Sequence, residues 1–290
     1  MPTAAQKPNA APTRRIVDTV VGTGPSPKAV DVLAAAAGLP KARVKDAMGK
    51  GAAWVWRGRK RQRLRRATTL LAPGTRVALY YDAALLALTP PPARCIVDHA
   101  AYSAWYKPAG LLTQGNDYGD HCSLLRQAEI HFAPRRSALP VHRLDREVAG
   151  VILVAHTAVA AAALSRLFRE HRIIKRYRAE VLGCPADANA ELKIDLPLDG
   201  KPATTIVRWI ATDPANNVST ADITIDTGRK HQIRRHLDLA GYPVMGDPRY
   251  GTGNKNSDGL RLSAVALTFT CPIRHRPVTV MSASEKEKSP

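Results

Sequence analysis

Asp145 is the residue of this sequence best placed to do chemistry. It ends the run HRLD, residues 142–145, and a very apolar segment, residues 151–155, follows soon after. A carboxylate beside a buried strand costs free energy unless it is paired or hydrogen-bonded. The position therefore indicates either a structural ion pair with Arg143 or Arg146, or a nucleophile or general base.

A second charged segment is TGRKHQIRRHLDLAGYPVMGDPRYG, residues 227–251. Ile233 and Leu237 lie four residues apart and mark one side of a short helix. Arg234 or its neighbour then points inward beside that side. A buried guanidinium needs a carboxylate, and Asp145 is the candidate partner.

Two strand-like segments add further polar side chains. In KRYRAEV, residues 175–181, alternation puts Tyr177 on one face of a strand, where a plain core tyrosine is the alternative interpretation. In YKPAGL, residues 106–111, Lys107 enters a turn, and either phosphate binding or a structural role fits it.

The sequence offers little for a metal or a redox centre. His231 and His236 are five residues apart, which is a poor spacing for two zinc ligands on one helix. The four cysteines lie far apart and form no CxxC pair, so we expect free thiols in a reducing compartment. We therefore predict no metal and no cofactor.

The charge balance points to a polyanionic partner. The chain has 43 Lys and Arg against 24 Asp and Glu, a formal net charge of +19, which favours nucleic acid first and an anionic membrane surface second. The chain has no apolar stretch of the roughly 18 residues that a transmembrane helix needs, and its start lacks the apolar core of a signal peptide. We expect a cytoplasmic protein with no membrane association.

The elements that must position these residues predict two domains. We expect a flexible segment at 1–27, a small module at 28–83, a proline-rich linker at 84–97, a catalytic domain at 98–282 and a disordered tail at 283–290. In the small module two short helices precede two strands. A run rich in arginine and lysine lies between the strands, beside Trp54 and Trp56, and this placement favours phosphate contact over a merely solvated face. The predicted RNA-binding residues are Lys41, Arg43, Lys45, Arg57, Arg59, Lys60, Arg61 and Arg63.

Five motifs carry a resemblance to a known family. KPAG, HRLD before an apolar strand, KRYRAEVLG, TGRKHQIRRHL and GYPVMGDPRYG follow one another as in RluA-type pseudouridine synthases, which the chain resembles over about residues 100–280. Residues 28–83 resemble the S-four-like RNA-binding domain. The resemblance implies an α+β pseudouridine synthase fold, with a mixed, largely antiparallel sheet and a catalytic cleft, preceded by a small αL RNA-binding domain.

The resemblance also implies roles for individual residues. Asp145 matches the family's catalytic aspartate, Tyr177 its active-site tyrosine and Arg234 the arginine paired with the aspartate. Arg143 matches a residue that holds the target nucleotide, and Lys107 belongs to a motif that supports the site. The full set expected to bind substrate is Arg143, Lys107, His142, Arg229, His231 and Gln232.

The implied activity is isomerisation of specific uridines in structured RNA without a cofactor. Ribosomal RNA is the first expectation for the substrate and transfer RNA the second, with a monomeric enzyme. A cation beside a carboxylate favours its ionised form, so Arg234 is expected to keep Asp145 charged.

Two alternatives stay open. The family usually continues HRLD-x-x with Thr-Ser-Gly, whereas this chain has Val148, Ala149 and Gly150, so a catalytically impaired synthase that binds RNA or assists ribosome assembly is one alternative. A hydrolase that acts through Asp145 is the other, and it usually needs a second carboxylate, for which Glu147 is the nearest candidate.

Overall fold

The computed structural model of the chain describes residues 14–282, which separate into two units. The first contains the described residues up to Pro90 together with 114–126, and the second contains 91–113 and the residues from 127 onward. The whole of the predicted disordered tail, 283–290, and the first part of the predicted flexible segment lie outside the described residues.

The first unit is a four-stranded antiparallel sheet with helices on one side, in strand order β1-β4-β2-β3. Its elements are β1 Arg14–Val20, α1 Ala29–Ala37, α2 Lys41–Gly49, β2 Ala53–Arg57, β3 Lys60–Arg63, β4 Arg76–Asp82 and α3 Ala83–Leu86.

Both predicted N-terminal helices are confirmed. α1 ends at Gly38, whose φ of 60° places it in the left-handed conformation that glycine adopts without strain. Leu33 of α1, Met48 of α2 and Leu79 of β4 are fully buried in one apolar core. These helices and strands therefore form one layered module around that core.

The boundaries of this module differ from the prediction at both ends. Residues 14–20, predicted as flexible, form β1, because their alternating pattern lets Val17 pack on the core while the backbone pairs with β4. At the other end, β5 (Arg94–Asp98) takes up part of the predicted linker 84–97.

Residues 114–126 belong to the first unit although they follow part of the second in sequence. Asp120 accepts hydrogen bonds from Arg65 and forms an ion pair with Arg63 at 3.1 Å. The indole N–H of Trp54 donates to the Asp117 carbonyl at 3.0 Å. The predicted continuous catalytic domain at 98–282 therefore does not describe this segment.

The second unit is built on one large sheet. Its remaining elements are β6 Tyr102–Lys107, α4 Leu124–His131 at the boundary between the units, β7 Leu139–Pro140, β8 Ala149–Ala155, α5 Ala158–Arg169, β9 Ile174–Leu182, β10 Glu191–Asp195, β11 Thr204–Asp213, β12 Val218–Ile225, α6 Gln232–Leu239, β13 Leu262–Thr270 and β14 Pro277–Met281.

The strands follow the order β10-β11-β12-β9-β13-β8-β6-β5, with β14 beside β13 and β7 beside β8. The β8–β13 pair is parallel, and the other pairs are antiparallel. This confirms the predicted α+β class with a mixed, largely antiparallel sheet. β14 pairs with β13 in antiparallel orientation.

Helix α5 covers one face of this sheet. The Thr157 hydroxyl caps its start by accepting a hydrogen bond from the Ala160 N–H at 3.1 Å. Leu164 and Leu167 then pack against the buried side chains of β8, including Val151 and Leu153. β8 is thus buried, and the residues just before it are held at the rim of a rigid core.

The described residues also bear on two class predictions. Between residues 14 and 282, no helix is long and apolar enough to span a membrane. The four cysteines carry free thiols, and that of Cys271 is buried and accepts a hydrogen bond from the Tyr102 hydroxyl at 3.5 Å.

Candidate active site

Asp145 lies in the loop between β7 and β8, and a turn after β6 holds this loop on both sides of it. The Thr113 hydroxyl donates to the Leu144 carbonyl at 2.9 Å and accepts from the Leu144 N–H at 3.1 Å. The Gly110 N–H donates to the Arg146 carbonyl at 2.8 Å. Both neighbours of Asp145 are therefore fixed. The signal in the sequence that points to Thr113 is its position two residues after KPAGL.

Lys107 supports this loop; although it was expected to bind substrate, it is not among the residues that line the cavity described below. Its side chain is fully buried, and its amine donates to three backbone carbonyls, those of Pro108 at 3.2 Å, Leu111 at 2.7 Å and Arg146 at 3.2 Å. Burial lowers the pKa of Lys107 to about 8, although the charges of Glu147 and Asp145 oppose the shift.

Gly150 allows β8 to begin directly after the loop. Its φ is +128°, and a Cβ atom there would lie 2.1 Å from the Ala264 carbonyl oxygen of β13. The parallel β8–β13 pairing thus needs a glycine at this position.

Helix α6 carries the arginine that faces Asp145. Ile233 and Leu237 are buried on one side, as predicted, and Arg234 is only 1% exposed. Gln232 was expected to bind substrate, but it is buried, and its amide fastens the helix. The amide oxygen accepts from the Thr227 hydroxyl at 2.6 Å, and the amide nitrogen donates to the Thr204 carbonyl at 2.9 Å.

Arg234 forms ion pairs with two carboxylates: Asp145, the partner expected from the sequence, and Asp247, which lies closer and was not predicted. Arg234 donates two hydrogen bonds to the Asp247 carboxylate, Nε at 2.6 Å and Nη2 at 2.7 Å. Its third nitrogen, Nη1, lies 3.6 Å from Asp145 Oδ2. The two parallel hydrogen bonds to Asp247 hold the guanidinium plane in place and leave Nη1 directed at Asp145.

Asp247 is fully buried and satisfied. One of its oxygens also accepts the backbone N–H groups of Arg249 at 2.8 Å and Tyr250 at 3.1 Å. Burial alone would raise the pKa of Asp247, but these bonds and the one from Arg234 lower it below its usual value. The sequence signal for Asp247 is its place in GYPVMGDPRYG, one of the motifs that carry the family resemblance.

Tyr177 lies in the middle of β9, between Ile223 of β12 and Ala264 of β13. It lines the same cavity as Asp145. Burial raises the pKa of Tyr177 well above its usual value, and the negative charge of Asp145 raises it further. Tyr177 is therefore a neutral phenol at neutral pH, suited to stacking and hydrogen-bond donation.

The cavity has a volume of about 380 Å³, which lies within the range of small-molecule sites. Asp145 is the carboxylate in its wall, and within the described residues that line it there is no second one. Its lining is Arg143, Leu144, Asp145, Val148, Tyr177, Ile225, Gly228, Arg229, Lys230, His231, Gln232, Ile233, Arg234 and Leu262. A single anion among cations and apolar groups suits an anionic or polar ligand with a flat apolar part.

The histidines of the site have different positions. His142, expected to bind substrate, packs flat on Phe168 with ring centroids 4.1 Å apart, and its Nε2 accepts from the Leu153 N–H at 3.0 Å. Burial lowers the pKa of His142 to about 3, and the charge of Lys175 adds to this. His142 is thus a structural residue.

His231, by contrast, does line the cavity. Its Nε2 lies 3.7 Å from Asp145 Oδ2, and its Nδ1 lies 3.0 Å from the Tyr250 hydroxyl. Arg143 and Arg229 line the cavity as expected, and Lys230, which had not been predicted, lies beside them.

The predicted RNA-binding residues of the first unit fall into two groups. Arg57, Arg59 and Lys60 are exposed at the turn between β2 and β3, and Arg43 and Lys45 are exposed on α2. The other three have intramolecular partners: Lys41 pairs with Asp31 at 2.7 Å, Arg61 with Asp117 at 2.7 Å and Arg63 with Asp120 at 3.1 Å.

As for metals, no cluster of three or more His, Cys, Asp or Glu side chains within residues 14–282 is arranged to hold an ion.

Comparison with known proteins identifies a family. A family model described as RNA pseudouridylate synthase matches residues 101–239. The "Dual-specificity RNA pseudouridine synthase RluA" of Pasteurella multocida is 34% identical over 211 residues, covering 66% of this chain and 94% of that protein. The "Ribosomal large subunit pseudouridine synthase D" of Zymomonas mobilis is 29% identical over 202 residues, covering 59% of this chain and 63% of that protein.

Other relatives are matched over less of their length. An uncharacterised RNA pseudouridine synthase of Synechocystis is 36% identical over 162 residues, which cover 51% of this chain and 54% of that protein. Among solved structures, "Human RNA Pseudouridylate Synthase Domain Containing 1" has a TM-score of 0.55 at 23% identity, covering 67% of this chain and 86% of that one. At this level of identity, the similarity to the human structure shows a common fold and no more.

Proposed function

This chain belongs to the RNA pseudouridylate synthase family, and we propose that it isomerises uridine to pseudouridine in RNA with Asp145 as the catalytic residue. One observation carries the proposal: Asp145, Tyr177 and Arg234, far apart in sequence, line one cavity. Asp145 faces Arg234 Nη1 at 3.6 Å.

The reaction needs a carboxylate at the ribose of the target nucleotide. The bond between uracil nitrogen 1 and the sugar breaks, the base turns, and carbon 5 joins the same sugar carbon, with carbon 5 losing a proton and nitrogen 1 gaining one. Asp145 either attacks the sugar as a nucleophile or takes a sugar proton so that a glycal forms. Either route uses one ionised carboxylate, and Asp145 supplies it.

Tyr177 fits the uracil as a stacking surface. Its ring offers a π face, and its hydroxyl a hydrogen-bond donor. Because burial and the charge of Asp145 raise its pKa, Tyr177 is a neutral phenol at neutral pH and can donate this hydrogen bond.

The apolar part of the wall serves water exclusion. A detached base or an intermediate bound to the enzyme would be lost to hydrolysis in an open site. Four apolar side chains line the cavity. Leu144 and Val148 come from the loop that carries Asp145, and Ile225 and Leu262, each 5% exposed, come from β12 and β13. Val148 therefore contributes a dry wall where the family usually has a hydroxyl.

The target uridine must leave its stack to reach Asp145, which costs a few kcal/mol. Arg143, Arg229 and Lys230 line the cavity as cations that can contact the flanking phosphates. Arg143 has no hydrogen bond or ion pair within the described residues, so its guanidinium is available to the nucleotide.

We further propose that the first unit is an S-four-like RNA-binding domain that contacts the RNA through the β2–β3 turn. Two helices against an antiparallel sheet, and the exposed cations Arg57, Arg59 and Lys60, support this. Large-subunit ribosomal RNA is the first candidate substrate and transfer RNA the second, since relatives are named for large-subunit RNA and for dual specificity. We also propose a monomeric enzyme, as the resemblance to the family implies.

The direct test is product analysis with unmodified transcripts. The wild type and Asp145→Asn are incubated with transcripts of large-subunit ribosomal RNA and of transfer RNA, and pseudouridine is mapped by chemical labelling. We expect new pseudouridine from the wild type and from the surface control Asp199→Asn, and none from Asp145→Asn. Free uracil in place of pseudouridine would identify a hydrolase and contradict the proposal.

A catalytically impaired synthase is the second candidate, and Val148 is the observation that favours it. This side chain is 3% exposed and lines the cavity where a hydroxyl is usual in the family. If the wild type binds RNA in a salt-dependent manner but forms no pseudouridine, while Val148→Thr with Ala149→Ser does form it, the impaired enzyme is the correct description.

A further inference from the structure

The loop that carries Asp247 reaches Asp145 by a second route that does not involve Arg234. Tyr250, three residues after Asp247, places its hydroxyl 3.0 Å from His231 Nδ1. The other ring nitrogen, Nε2, lies 3.7 Å from Asp145 Oδ2, the same oxygen that faces Arg234 Nη1 at 3.6 Å. Two side chains positioned by one loop thus converge on one carboxylate oxygen.

We propose that Tyr250 and His231 are positioning residues for the isomerisation: the Tyr250 hydroxyl donates to His231 Nδ1, which keeps the ring proton on Nε2 and directs that N–H at Asp145. This inference rests on the proposed function. It assigns His231 to the carboxylate, whereas the expectation from the sequence assigned it to the substrate.

The choice of tautomer follows from what each nitrogen faces. A neutral imidazole has one donor and one acceptor nitrogen, and the hydrogen bond at one nitrogen sets the state of the other. With the proton on Nδ1, the lone pair of Nε2 would face the Asp145 carboxylate and repel it. With the proton on Nε2, the Tyr250 hydroxyl has an acceptor and the carboxylate has a donor.

Tyr250 is itself held firmly enough to set the ring. Its N–H donates to Asp247 Oδ1 at 3.1 Å, and its carbonyl accepts from Asn254 Nδ2 at 3.1 Å and from Lys255 Nζ at 2.7 Å. His231 is held from its own side, because it begins α6 in the left-handed conformation, with a φ of 53°. The His231 and Tyr250 rings meet edge to face, with centroids 5.7 Å apart.

A neutral donor suits a carboxylate that must stay reactive. Arg234 is already paired with Asp247, so Asp145 shares a cation and is not fully neutralised. A protonated His231 would add a second positive charge and weaken Asp145 as a nucleophile or base. An uncharged N–H orients the carboxylate and leaves its charge in place.

The groups around His231 favour its neutral form. Burial lowers the pKa of His231; Asp145 opposes this, whereas the positive charges of Arg234, Arg249 and Lys230 add to it. A hydrogen bond from Tyr250 to Nδ1 also favours the neutral ring, since only the neutral ring can accept it. The 3.7 Å separation exceeds a hydrogen bond, and we expect it to shorten when a nucleotide fills the cavity, as catalytic contacts often do.

The tautomer is tested on the full chain with nitrogen-15-labelled histidine, read by NMR. The His231 signal is identified by its loss in His231→Gln. We expect His231 to be Nε2-protonated in the wild type and in the matched control Tyr242→Phe, and to be a mixture of tautomers with a raised pKa in Tyr250→Phe. Protonation on Nδ1 in the wild type would overturn the proposal whether or not the protein is a synthase.

The consequence for chemistry is tested by single-turnover release of tritium from an RNA transcript labelled at uridine carbon 5. His231→Asn keeps only a group at the Nδ1 position, whereas His231→Gln keeps a donor at the Nε2 position. We expect Tyr250→Phe and His231→Asn to slow the chemical step about tenfold to a hundredfold, with unchanged RNA affinity, and His231→Gln to recover most of the rate.

The outcomes separate this inference from the proposed function. An active wild type and an inactive Asp145→Asn, together with full rates in Tyr250→Phe and His231→Asn, would overturn the positioning role and leave the proposed function intact. An inactive wild type would remove the proposed function, and the NMR result would then decide alone whether Tyr250 sets the His231 ring towards Asp145.

Discussion

At the scale of single residues, the site depends on how one arginine is shared between two carboxylates. Asp247 takes two of the nitrogens of Arg234 at 2.6 and 2.7 Å, and Asp145 meets the third only at 3.6 Å. The buried pair is structural, and its geometry determines how much positive charge Asp145 receives. A carboxylate that is partly paired in this way is ordered yet still able to react.

Removal of the Asp247 charge should therefore affect both stability and activity. In Asp247→Asn we expect the free energy of unfolding to fall by about 3 kcal/mol or more, because a buried guanidinium loses its counter-charge. We also expect activity to fall, because Arg234 without its Asp247 partner would pair more closely with Asp145 and neutralise the catalytic carboxylate. Denaturant unfolding and single-turnover assays measure the two effects.

The neighbouring arginine provides the control. Arg235 pairs with the exposed Asp199 at 3.0 Å, so Asp199→Asn should change stability very little. Equal losses in Asp247→Asn and Asp199→Asn would mean that burial of the Arg234 pair is not what matters.

The buried amine of Lys107 should make the stability of the protein depend on pH. Its pKa is about 8 when the protein is folded and near the ordinary 10.5 when it is unfolded, so the unfolded chain binds more protons between these values. Stability then rises with pH across this window. Relative to Lys107→Met, which cannot titrate, the wild type should gain up to about 3 kcal/mol between pH 8 and pH 10.5.

Denaturant unfolding of both proteins at several pH values measures this difference, and effects of other titrating groups cancel in it. If the difference in the free energy of unfolding between the two proteins stays constant across pH 8 to 10, the pKa of Lys107 is not lowered by folding. The amine would then be free to reach solvent.

At the scale of elements, three pieces of backbone converge on Asp145. The turn after β6 holds Leu144 and Arg146, β8 begins at Gly150, and α6 presents Arg234. None of these pieces alone forms a site. Their meeting depends on the parallel β8–β13 pair, which sets where the loop ends.

Gly150→Ala tests that dependence. A Cβ atom would lie 2.1 Å from the Ala264 carbonyl oxygen, and the φ of +128° is strained for alanine. We expect a loss of about 3 kcal/mol or more in the free energy of unfolding, together with loss of activity. Gly228→Ala is the control for stability, because no atom lies within 4 Å of its added Cβ. Similar unfolding midpoints for the two variants would contradict the close approach of β8 and β13.

At the scale of the whole molecule, the large positive charge is divided between different tasks. The formal net charge is +19, yet Arg61 and Arg63 pair with acidic residues of segment 114–126. Arg57, Arg59 and Lys60 carry no such pair within the described residues. Charge count alone therefore overstates how many cations of the basic run are free for RNA.

Salt dependence of RNA affinity distinguishes the two groups. Replacement of Arg57, Arg59 and Lys60 by Gln should weaken binding and reduce the slope of log affinity against log salt by about 2 to 3, one lost phosphate contact per residue. Arg61→Gln should change this slope little, because Arg61 already forms an ion pair with Asp117 at 2.7 Å. An equal reduction of the slope per replaced residue in the two variants would show that paired and unpaired cations contact RNA alike, which contradicts the prediction.

Much of the molecule was predictable from its residues, because the signals are local. The two short helices of the small module were predicted, alternation predicted β9, and the four-residue spacing of Ile233 and Leu237 predicted α6 with one arginine inward. Motif order indicated the family. Each of these inferences uses side-chain direction along a single element, which the local backbone determines.

The partners of the charged groups were decided only by the tertiary structure. Asp247 as the partner of Arg234, Thr113 as the support of the Asp145 loop, and Asp117 and Asp120 as the partners of Arg61 and Arg63 join residues from separate elements. Lys107 and His142 were expected to bind substrate, whereas their hydrogen bonds go to backbone groups, and Gln232 lines the cavity while its amide also fastens α6. Hydrogen-bond partners depend on which elements meet, and no spacing along one element contains that information.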